Sequence, residues 1–251
     1  MCAETTWRMP PAKLALGSDE VHVWQASLDV QAVLHARWQT TLSADELVRA
    51  QRFHSSIHRD RYIAGRGILR DLLARYLRTP ARGFQFSLNA HGKPALAPGS
   101  EVADVRFNLS HSGDLALFAF TMSRDVGVDV ECLRPLDRAM DLAERFFSPN
   151  EVEEIRTLPV EFQHQLFFQC WTRKEAYIKA RGLGLSISLS SFSVPIDSHL
   201  NAYLPIVDHG DTEARRWRLR ALKPSDGYVA AVATEGTDWS LDLWQFQSED
   251  L

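Results

Sequence analysis

Several features common in proteins are scarce in this chain, and each scarcity argues against a class of function. The 251 residues include three cysteines, Cys2, Cys132 and Cys170, too few and too widely spaced for a disulfide framework or a zinc site. No run approaches the roughly 20 apolar residues of a membrane-spanning helix. Lys and Arg number 28 against 32 Asp and Glu, whereas a general nucleic-acid binder is usually basic. We therefore predict a cytoplasmic protein that binds neither membranes nor nucleic acid.

The residues that are present predict helices and strands in both halves of the chain. Hydrophobic residues make up 45% of the sequence, enough for one large domain or two small ones. Alternating apolar residues predict a strand over 20–28, and helical spacing predicts helices over 61–77 and 162–180. Short β-like runs follow both helices: VRFNL, LALFAFT and VGVDVE, then SFSV, RRWRLRAL, GYVAAVAT and WSLDLWQF. We predict an α+β fold of two similar α/β lobes, 1–123 and 124–251.

The segment VGVDVE, residues 126–131, places two carboxylates on one face of a predicted strand. Asp129 and Glu131 alternate with valines, and residues two apart on a strand are separated by about 7 Å. Carboxylates at that separation can converge on a hard divalent cation such as Mg²⁺ or Mn²⁺. A half-buried strand with a solvated acidic face has the same pattern, so this segment alone leaves both interpretations open.

A predicted helix that contains WTRKEAYIKA, residues 171–180, carries a third carboxylate. Glu175 and Lys179 are four residues apart and share one face of the helix, with Lys174 beside them. A surface ion pair has the same spacing. Aromatic residues on this helix indicate that much of its surface is buried, and a buried carboxylate needs a partner or a metal. Glu175 is thus a candidate third oxygen ligand, and Lys179 a candidate phosphate contact.

Four segments taken together resemble the Sfp-type 4′-phosphopantetheinyl transferases. They are HGKPAL, FNLSHSG, VGVDVE, and FFSPNE with FFQCWTRKEAYIKARGLGLS, and they occur in the family's order with similar spacing. The resemblance runs from about Arg52 to Phe192 and is strongest over 92–193. It implies a pseudodimer of two α/β lobes in one chain, with the active site in the cleft between them. It also implies that a monomer suffices.

The resemblance implies a reaction as well as a fold. Members of the family transfer the phosphopantetheine arm of coenzyme A to a serine of an apo acyl or peptidyl carrier protein and release adenosine 3′,5′-bisphosphate. The serine hydroxyl attacks the β-phosphorus of the pyrophosphate. That attack calls for a divalent ion, a base, and cations for the remaining phosphates. The implied cofactor is Mg²⁺, with Mn²⁺ as the alternative.

The resemblance also assigns the carboxylates to this chemistry. Asp129 and Glu131 match the family's metal-binding pair. Glu175 matches an acidic residue that is either a third metal ligand or the base for the serine proton, and Lys179 matches a lysine at the pyrophosphate. Glu151, in FFSPNE, is a second candidate base, although the helix dipole also favours a carboxylate at a helix start.

Further positions match the family's contacts with coenzyme A. Ser110 and His111 match residues at the phosphates, with His111 near the 3′-phosphate. Lys93 matches a basic residue near the adenosine phosphates, and Lys174 precedes the glutamate of the helical motif. Without the other motifs, His111 would be interpreted as a core histidine and Lys93 as a solvated lysine. The resemblance thus explains why the polar cluster FNLSHSG separates two strand-like runs.

The N-terminal half matches the family only in part. Arg61 matches an arginine that supports nucleotide binding, and Arg49 matches a lysine near the 3′-phosphate. A second family lysine corresponds to Glu46 in this chain. This departure leaves open how the 3′-phosphate is held, with Arg52 and Arg66 as candidate substitutes.

The segment CLRPLDRAMDLAERFF, after the two strand carboxylates, is a candidate surface for a carrier protein. It combines arginines with apolar side chains: Arg134, Arg138, Arg145, Leu133, Leu136 and Phe146. Positive charge around an apolar centre suits the acidic surface of a carrier protein. An amphipathic helix with solvated arginines has the same composition, and the sequence does not identify the carrier.

Two other functions remain open at this stage. A relative could bind coenzyme A or a carrier without catalysis, although the intact Asp129, Glu131 and Glu175 argue against that. A Mg²⁺-dependent phosphohydrolase would use the same carboxylates with water as the nucleophile. Such a hydrolase would release free phosphopantetheine with no carrier present.

Overall fold

The computed structural model describes residues 6–97, 104–196, 204–205, 207–208 and 213–247. Its α-helices within those ranges are α1 (Ala32–Gln39), α2 (Ala44–Gln51), α3 (Ser56–Leu77), α4 (Ala139–Phe146), α5 (Pro149–Arg156) and α6 (Val160–Arg181). Its strands are β1 (Glu20–Ser27), β2 (Phe86–Leu88), β3 (Pro94–Leu96), β4 (Val105–Ser112), β5 (Leu115–Met122), β6 (Val126–Cys132), β7 (Phe192–Ser193), β8 (Leu204–Pro205), β9 (Val207–Asp208), β10 (Trp217–Leu222), β11 (Tyr228–Glu235) and β12 (Ser240–Gln245). None of these helices is long and apolar enough to cross a membrane.

Eight of the described strands form two four-stranded sheets, one in each lobe, and the other four form the pairs β2–β3 and β7–β9. Among the described residues the first sheet has the order β12–β1–β5–β4, and the second has the order β6–β11–β10–β8. β12 pairs in parallel with β1, so the last described strand returns to the first lobe. The boundary between the lobes, predicted between residues 123 and 124, stays a prediction. The pairing of β12 with β1 of the first lobe was not indicated by the sequence pattern.

Apolar side chains fill the space between the two sheets. Val23 and Leu117 of the first sheet lie in one buried cluster with Val128, Val130 and Val232 of the second. The opposite face of each sheet packs against a 22-residue helix, α3 in the first lobe and α6 in the second. The predicted α+β fold of two lobes is therefore confirmed. Because the two sheets face each other, β4 of the first lobe lies against β6 of the second lobe. This contact is the one that matters for function.

Most of the predicted elements are confirmed, and the differences lie at their ends. The strand predicted over 20–28 is β1, and Ser43 forms a capping box with Glu46 at the start of α2. The helix predicted over 61–77 begins earlier, at Ser56. Ser55, the residue before it, still has an extended backbone. That earlier start adds residues 56–60, a further helical turn, to α3.

Gly127 allows α6 to lie directly on β6. A Cβ atom at this position would be 2.1 Å from the carbonyl oxygen of Ala176 and 2.2 Å from the amide nitrogen of Ala180. Both neighbours are backbone atoms of α6, so no side chain can move aside to make room. The glycine therefore sets the distance between the helix with the third carboxylate and the strand with the first two.

We expect the Gly127→Ala variant to be less stable by about 2–3 kcal/mol, as for overpacking in a core that cannot relax locally. Thermal denaturation followed by circular dichroism measures the change. Gly65→Ala in α3 is the matched control, because its Cβ would be 3.7 Å from Leu28, an ordinary contact, and alanine favours the helix. Equal stability of the two variants would contradict the close approach.

Candidate active site

A row of polar side chains joins the two lobes where β4 lies against β6. The Ser110 hydroxyl donates to Asp129 Oδ1 at 2.8 Å, and the Ser112 hydroxyl donates to Glu131 Oε2 at 2.9 Å. Asn108 Oδ1 accepts a hydrogen bond from a backbone N–H of β6 at 2.9 Å. These three residues alternate along β4 and share one face. The polar cluster between two buried strands therefore binds the acidic face of the other lobe.

Helix α6 adds a carboxylate and an ammonium group to this junction. Lys179 Nζ donates to Asp129 Oδ1 at 2.6 Å and to Ser110 Oγ at 2.9 Å. Burial raises the pKa of Glu175, and the nearby charges of Asp129 and Glu131 raise it further, against the opposing effect of Lys179. Asp129 and Lys179 are therefore in direct contact, and Glu175 lies near enough to both strand carboxylates for their charges to act on it.

The donor set at this junction fits a hard cation. Asp129 is 4% exposed, and its Oδ2 atom is buried without a hydrogen-bond partner among the described residues. Such an orphaned oxygen is costly unless a cation or water binds it. In the described ranges no three His, Cys, Asp or Glu side chains yet lie close enough to ligate one ion. Carboxylate oxygens are nevertheless the ligands that Mg²⁺ and Mn²⁺ prefer.

A cavity of about 270 Å³ opens beside these groups along the last turns of α6. Its walls include Lys93, Leu109, Glu175, Ile178 and Lys179. Lys93 Nζ donates to a backbone carbonyl of α6 at 2.8 Å, and burial lowers the pKa of this lysine to about 8. The cavity therefore combines apolar walls with two ammonium groups, which suits a flat apolar ring attached to phosphates.

Basic side chains from two helices, Lys179 of α6 with His58 and Arg61 of α3, lie near enough to His111 for their charges to act on it. Partial enclosure lowers the pKa of His111, and the charges of Lys179, Arg61 and His58 lower it further. Arg61 also forms two hydrogen bonds with Asp29, at 2.8 and 3.0 Å, which raise the pKa of Arg61. Like charges repel unless an anion lies between them, so this group is suited to a phosphate.

His58 is a residue of this group that the sequence analysis missed. It precedes Arg61 by three positions on α3, so the two side chains share a helix face. That relation was hidden because the predicted helix began at Arg61. The i, i+3 spacing would have revealed it if the helix had been extended back to Ser56.

The departure at Glu46 has a structural explanation. Glu46 is 4% exposed, and its carboxylate binds Arg66 and Arg70, with Oε2 at 2.6 Å from Arg70 Nη2. These two guanidinium groups outweigh the effect of burial and hold the pKa of Glu46 below its usual value. Arg66 is thus occupied and is not a substitute for the missing lysine. Arg52 remains exposed at the end of α2, and Arg49 lies over the ring of Tyr62 at 5.7 Å.

Two predicted site residues do not lie in the cleft. Glu151 and Lys174 form a buried ion pair at 2.7 Å and are 2% and 0% exposed. Lys174 Nζ also donates to the backbone carbonyls of Leu189 and Phe192, and Glu151 accepts from the backbone N–H of Val194. The Lys174 bonds hold the segment after α6 against α6 itself, and the Glu151 bond holds it against α5. Neither side chain is therefore accessible to a substrate in the cleft.

The predicted carrier surface adjoins the carboxylates. Arg134 is exposed, lies 3.5 Å from Glu131 Oε2, and stacks over the ring of Phe168 at 5.4 Å. A shallow depression beside α4 is lined by Leu136, Arg138 and Arg145, among others. The same depression contains Asp137 and Asp141, and Asp141 pairs with Arg138 at 2.9 Å, so its rim carries both signs of charge.

Comparison with known proteins yields matches over both lobes. The model of the 4′-phosphopantetheinyl transferase superfamily matches residues 125–233, and the model described as 4′-phosphopantetheinyl transferase, N-terminal, matches residues 24–123.

Individual relatives match over most of the chain. The 4′-phosphopantetheinyl transferase HetI of Nostoc sp. is 41% identical over 96% of this chain and 98% of its own length. The 4′-phosphopantetheinyl transferase psf-1 of Bacillus pumilus is 34% identical over 67% of this chain and 70% of its own. The 4′-phosphopantetheinyl transferase Sfp of Bacillus subtilis is 28% identical over 86% of this chain and 92% of its own.

Proposed function

The chain belongs to the 4′-phosphopantetheinyl transferase superfamily, and from that premise we propose how its residues carry out the transfer. The protein moves the phosphopantetheine arm of coenzyme A to a serine of an apo carrier protein and releases adenosine 3′,5′-bisphosphate. The observation that carries the proposed mechanism is the pairing of Asp129 with Lys179 at 2.6 Å, with Glu175 near enough to Asp129 and Glu131 for their charges to act on it.

Asp129, Glu131 and Glu175 would hold a divalent ion, Mg²⁺ or Mn²⁺. When bound, the ion neutralises charge on the pyrophosphate and on the departing bisphosphate. Asp129 offers its unpartnered Oδ2, while Ser110 and Ser112 hold the two strand carboxylates in place. The serines therefore position the ligands.

Glu175 is also the better of the two candidate bases. Glu151 is enclosed by Ser148, Lys174 and a backbone N–H, so no incoming hydroxyl can reach its oxygens. Glu175 lines the cleft, so its carboxylate is open to an incoming hydroxyl.

The remaining cations would bind coenzyme A itself. Lys179 lies between the carboxylates and the cavity that would take the adenine, so it is placed for the pyrophosphate. His111, with Arg61 and His58, would bind the 3′-phosphate, and Arg49, which lies over the ring of Tyr62, would add a cation from α2. Lys93 would close the adenine cavity from the first lobe. Bound phosphate would raise the pKa of His111 and strengthen its hydrogen bond.

The surface formed by Arg134, Arg138 and Arg145 with α4 would dock the carrier protein. Its acidic partner would bring the serine to the edge of the cleft beside Glu131. We propose that one copy of the chain suffices, since both lobes that form the cleft belong to it. We also propose a cytoplasmic location, in keeping with Cys132 and Cys170, which are free thiols.

We expect His58→Ala to raise the KM for coenzyme A about threefold to fivefold, the effect of losing one partly exposed charge contact. The KM for dephospho-coenzyme A, which lacks the 3′-phosphate, should not change, and neither should kcat. Steady-state kinetics with both substrates measures the difference.

Arg59→Ala is the matched control for His58→Ala. Arg59 is the next residue on the same helix, is exposed, and pairs with Asp60 at 3.4 Å. An equal rise in KM for both substrates, or an equal effect of the Arg59 variant, would remove His58 from the 3′-phosphate site.

Product analysis tests the proposed function against hydrolysis. The full-length protein is incubated with coenzyme A and Mg²⁺, with and without an apo carrier protein, and adenosine 3′,5′-bisphosphate is quantified by chromatography. A transferase releases the bisphosphate only when the carrier is present. Release with free phosphopantetheine in the absence of a carrier would show a phosphohydrolase instead.

A further inference from the structure

The turn that joins β2 to β3, residues 89–93, lies against the C-terminal end of α6. The side-chain amide of Asn89 donates to the backbone carbonyl of Gly182 at 2.7 Å, and the Lys93 ammonium donates to the backbone carbonyl of Ala180 at 2.8 Å. Both carbonyls belong to the end of the helix, where the last carbonyls have no partner within the helix itself. The first lobe therefore caps a helix of the second lobe.

The Asn89 side chain also builds the turn itself. Its Oδ1 atom accepts hydrogen bonds from the backbone N–H groups of His91 and Lys93, both at 2.9 Å. An asparagine whose side chain binds the backbone two residues further on is typical of tight turns. One amide group thus uses its oxygen within the first lobe and its nitrogen to bind the second lobe.

The partners of the Asn89 amide fix its orientation. Two N–H donors lie against its oxygen, and the carbonyl oxygen of Gly182 lies against its nitrogen. Turning the amide over would place its NH₂ group against the two donors and its oxygen against the carbonyl. Aspartate and serine could serve only the turn, because their side chains have an oxygen but no nitrogen.

Two glycines allow the turn to lie this close to the end of α6. A Cβ atom at Gly182 would be 3.1 Å from both Asn89 Nδ2 and Lys93 Cδ. A Cβ atom at Gly184 would be 3.4 Å from the Cβ atom of His91. Both glycines also have positive φ angles, 64° and 55°, which other residues rarely adopt. The two lobes are therefore closely packed at this point.

The 89–93 turn is one wall of the cavity of about 270 Å³ that was assigned above to the adenine. His91, Gly92 and Lys93 line this cavity from the first lobe, and the end of α6 lines it from the second. Asn89 is not among the described residues that line the cavity. It would therefore act on a ligand through the turn and the helix end that it joins.

We propose that Asn89 is a positioning residue, which holds the 89–93 turn against α6 so that the adenine cavity is formed before coenzyme A binds. The proposal rests on the proposed function, which puts the adenine in this cavity. Without the bond to Gly182, the turn would be in place in only a fraction of the molecules. The apparent affinity for coenzyme A would then fall by that fraction. The bound complex, in which the turn is in place, would react at an unchanged rate.

Steady-state kinetics of the full-length protein with Mg²⁺ and an apo carrier protein tests the proposal. Asn89→Asp should raise the KM for coenzyme A about threefold to tenfold, the effect of one lost hydrogen bond, while kcat stays within about twofold of the wild-type value. The KM for dephospho-coenzyme A should rise by the same factor, because both substrates carry the adenine. This result differs from the one expected for His58→Ala, which affects coenzyme A alone.

Two further variants separate the lost bond from the added charge of Asn89→Asp. Asn89→Ser keeps an oxygen for the turn, adds no charge, and should give a similar rise in KM. Asn150→Asp makes the same chemical change at an exposed asparagine of α5 that does not line the cavity. It should leave both KM values unchanged, and an effect equal to that of Asn89→Asp would overturn the proposal.

Calorimetric titration with adenosine 3′,5′-bisphosphate distinguishes the role of Asn89 from the proposed function. The bisphosphate carries the adenine but has nothing to transfer, and its Kd should rise by the same factor in Asn89→Asp. An unchanged Kd, or a fall in kcat with KM unchanged, would overturn the positioning role. Wild-type protein that transfers nothing to any carrier, with a Kd that still rises in Asn89→Asp, would overturn the proposed function and leave the role of Asn89 supported.

Discussion

Asp129→Asn is expected to lower kcat/KM for phosphopantetheine transfer by about 10³-fold while the protein stays folded. Asparagine keeps the shape and the oxygen that accepts from Ser110 and Lys179, at 2.8 and 2.6 Å. It removes the negative charge and the unpartnered oxygen that the proposal assigns to the metal. A thousandfold loss corresponds to about 4 kcal/mol of transition-state stabilisation, a size typical of metal-assisted charge neutralisation.

Steady-state assays across a Mg²⁺ titration measure the effect of this substitution. Asp104→Asn is the control, because Asp104 is exposed and its carboxylate pairs with the exposed Arg106 at 2.8 Å. Circular dichroism checks that Asp129→Asn has the wild-type helix and strand content. A folded Asp129→Asn protein with nearly full activity and an unchanged Mg²⁺ requirement would remove Asp129 from the metal site.

Glu46→Lys, which introduces the lysine typical of the family, is expected to destabilise the protein by about 3–5 kcal/mol. The new ammonium group would be buried between Arg66 and Arg70, and three cations would share a site with no anion. The substitution would also remove the acceptor for the backbone N–H of Ser43 at the start of α2, now at 2.9 Å. Removing one partner of a buried ion pair lowers the free energy of unfolding by about this amount.

Urea denaturation measures the free energy of unfolding of Glu46→Lys. Val48→Lys is the matched control: Val48 is 50% exposed on the same helix, so this lysine should change stability by less than about 0.5 kcal/mol. Adding Arg66→Glu to Glu46→Lys should recover part of the loss, since it restores an ion pair with reversed charges. A stable Glu46→Lys protein with a lower KM for coenzyme A would show that position 46 faces the 3′-phosphate after all.

The parts of the site that the sequence predicted are those set by local periodicity. Asp129 and Glu131 lie on one face of β6 because strand side chains alternate, and Glu175 and Lys179 share a face of α6 because they are four residues apart. The pattern of apolar residues also identified both long helices and most strands. These inferences need only the neighbouring residues in the chain.

The parts that could not be predicted depend on contacts between distant segments. Lys174 is buried because Glu151 and the carbonyls of Leu189 and Phe192 surround it, and nothing in its own helix indicates these partners. The return of β12 to β1 joins strands from opposite ends of the chain. Sequence periodicity says which face of an element is buried, but it does not say against which other element.

Intact-protein mass spectrometry of apo carrier proteins most directly tests the central claim, that the carboxylates at the lobe junction support transfer to a carrier serine. A panel of apo carriers is incubated with coenzyme A, Mg²⁺ and either the wild-type chain or Asp129→Asn, with EDTA as a further control. We predict a gain of one phosphopantetheine on at least one carrier with the wild-type chain, and no gain with EDTA or within the same time with Asp129→Asn. A gain that persists undiminished with EDTA and with Asp129→Asn would contradict the account.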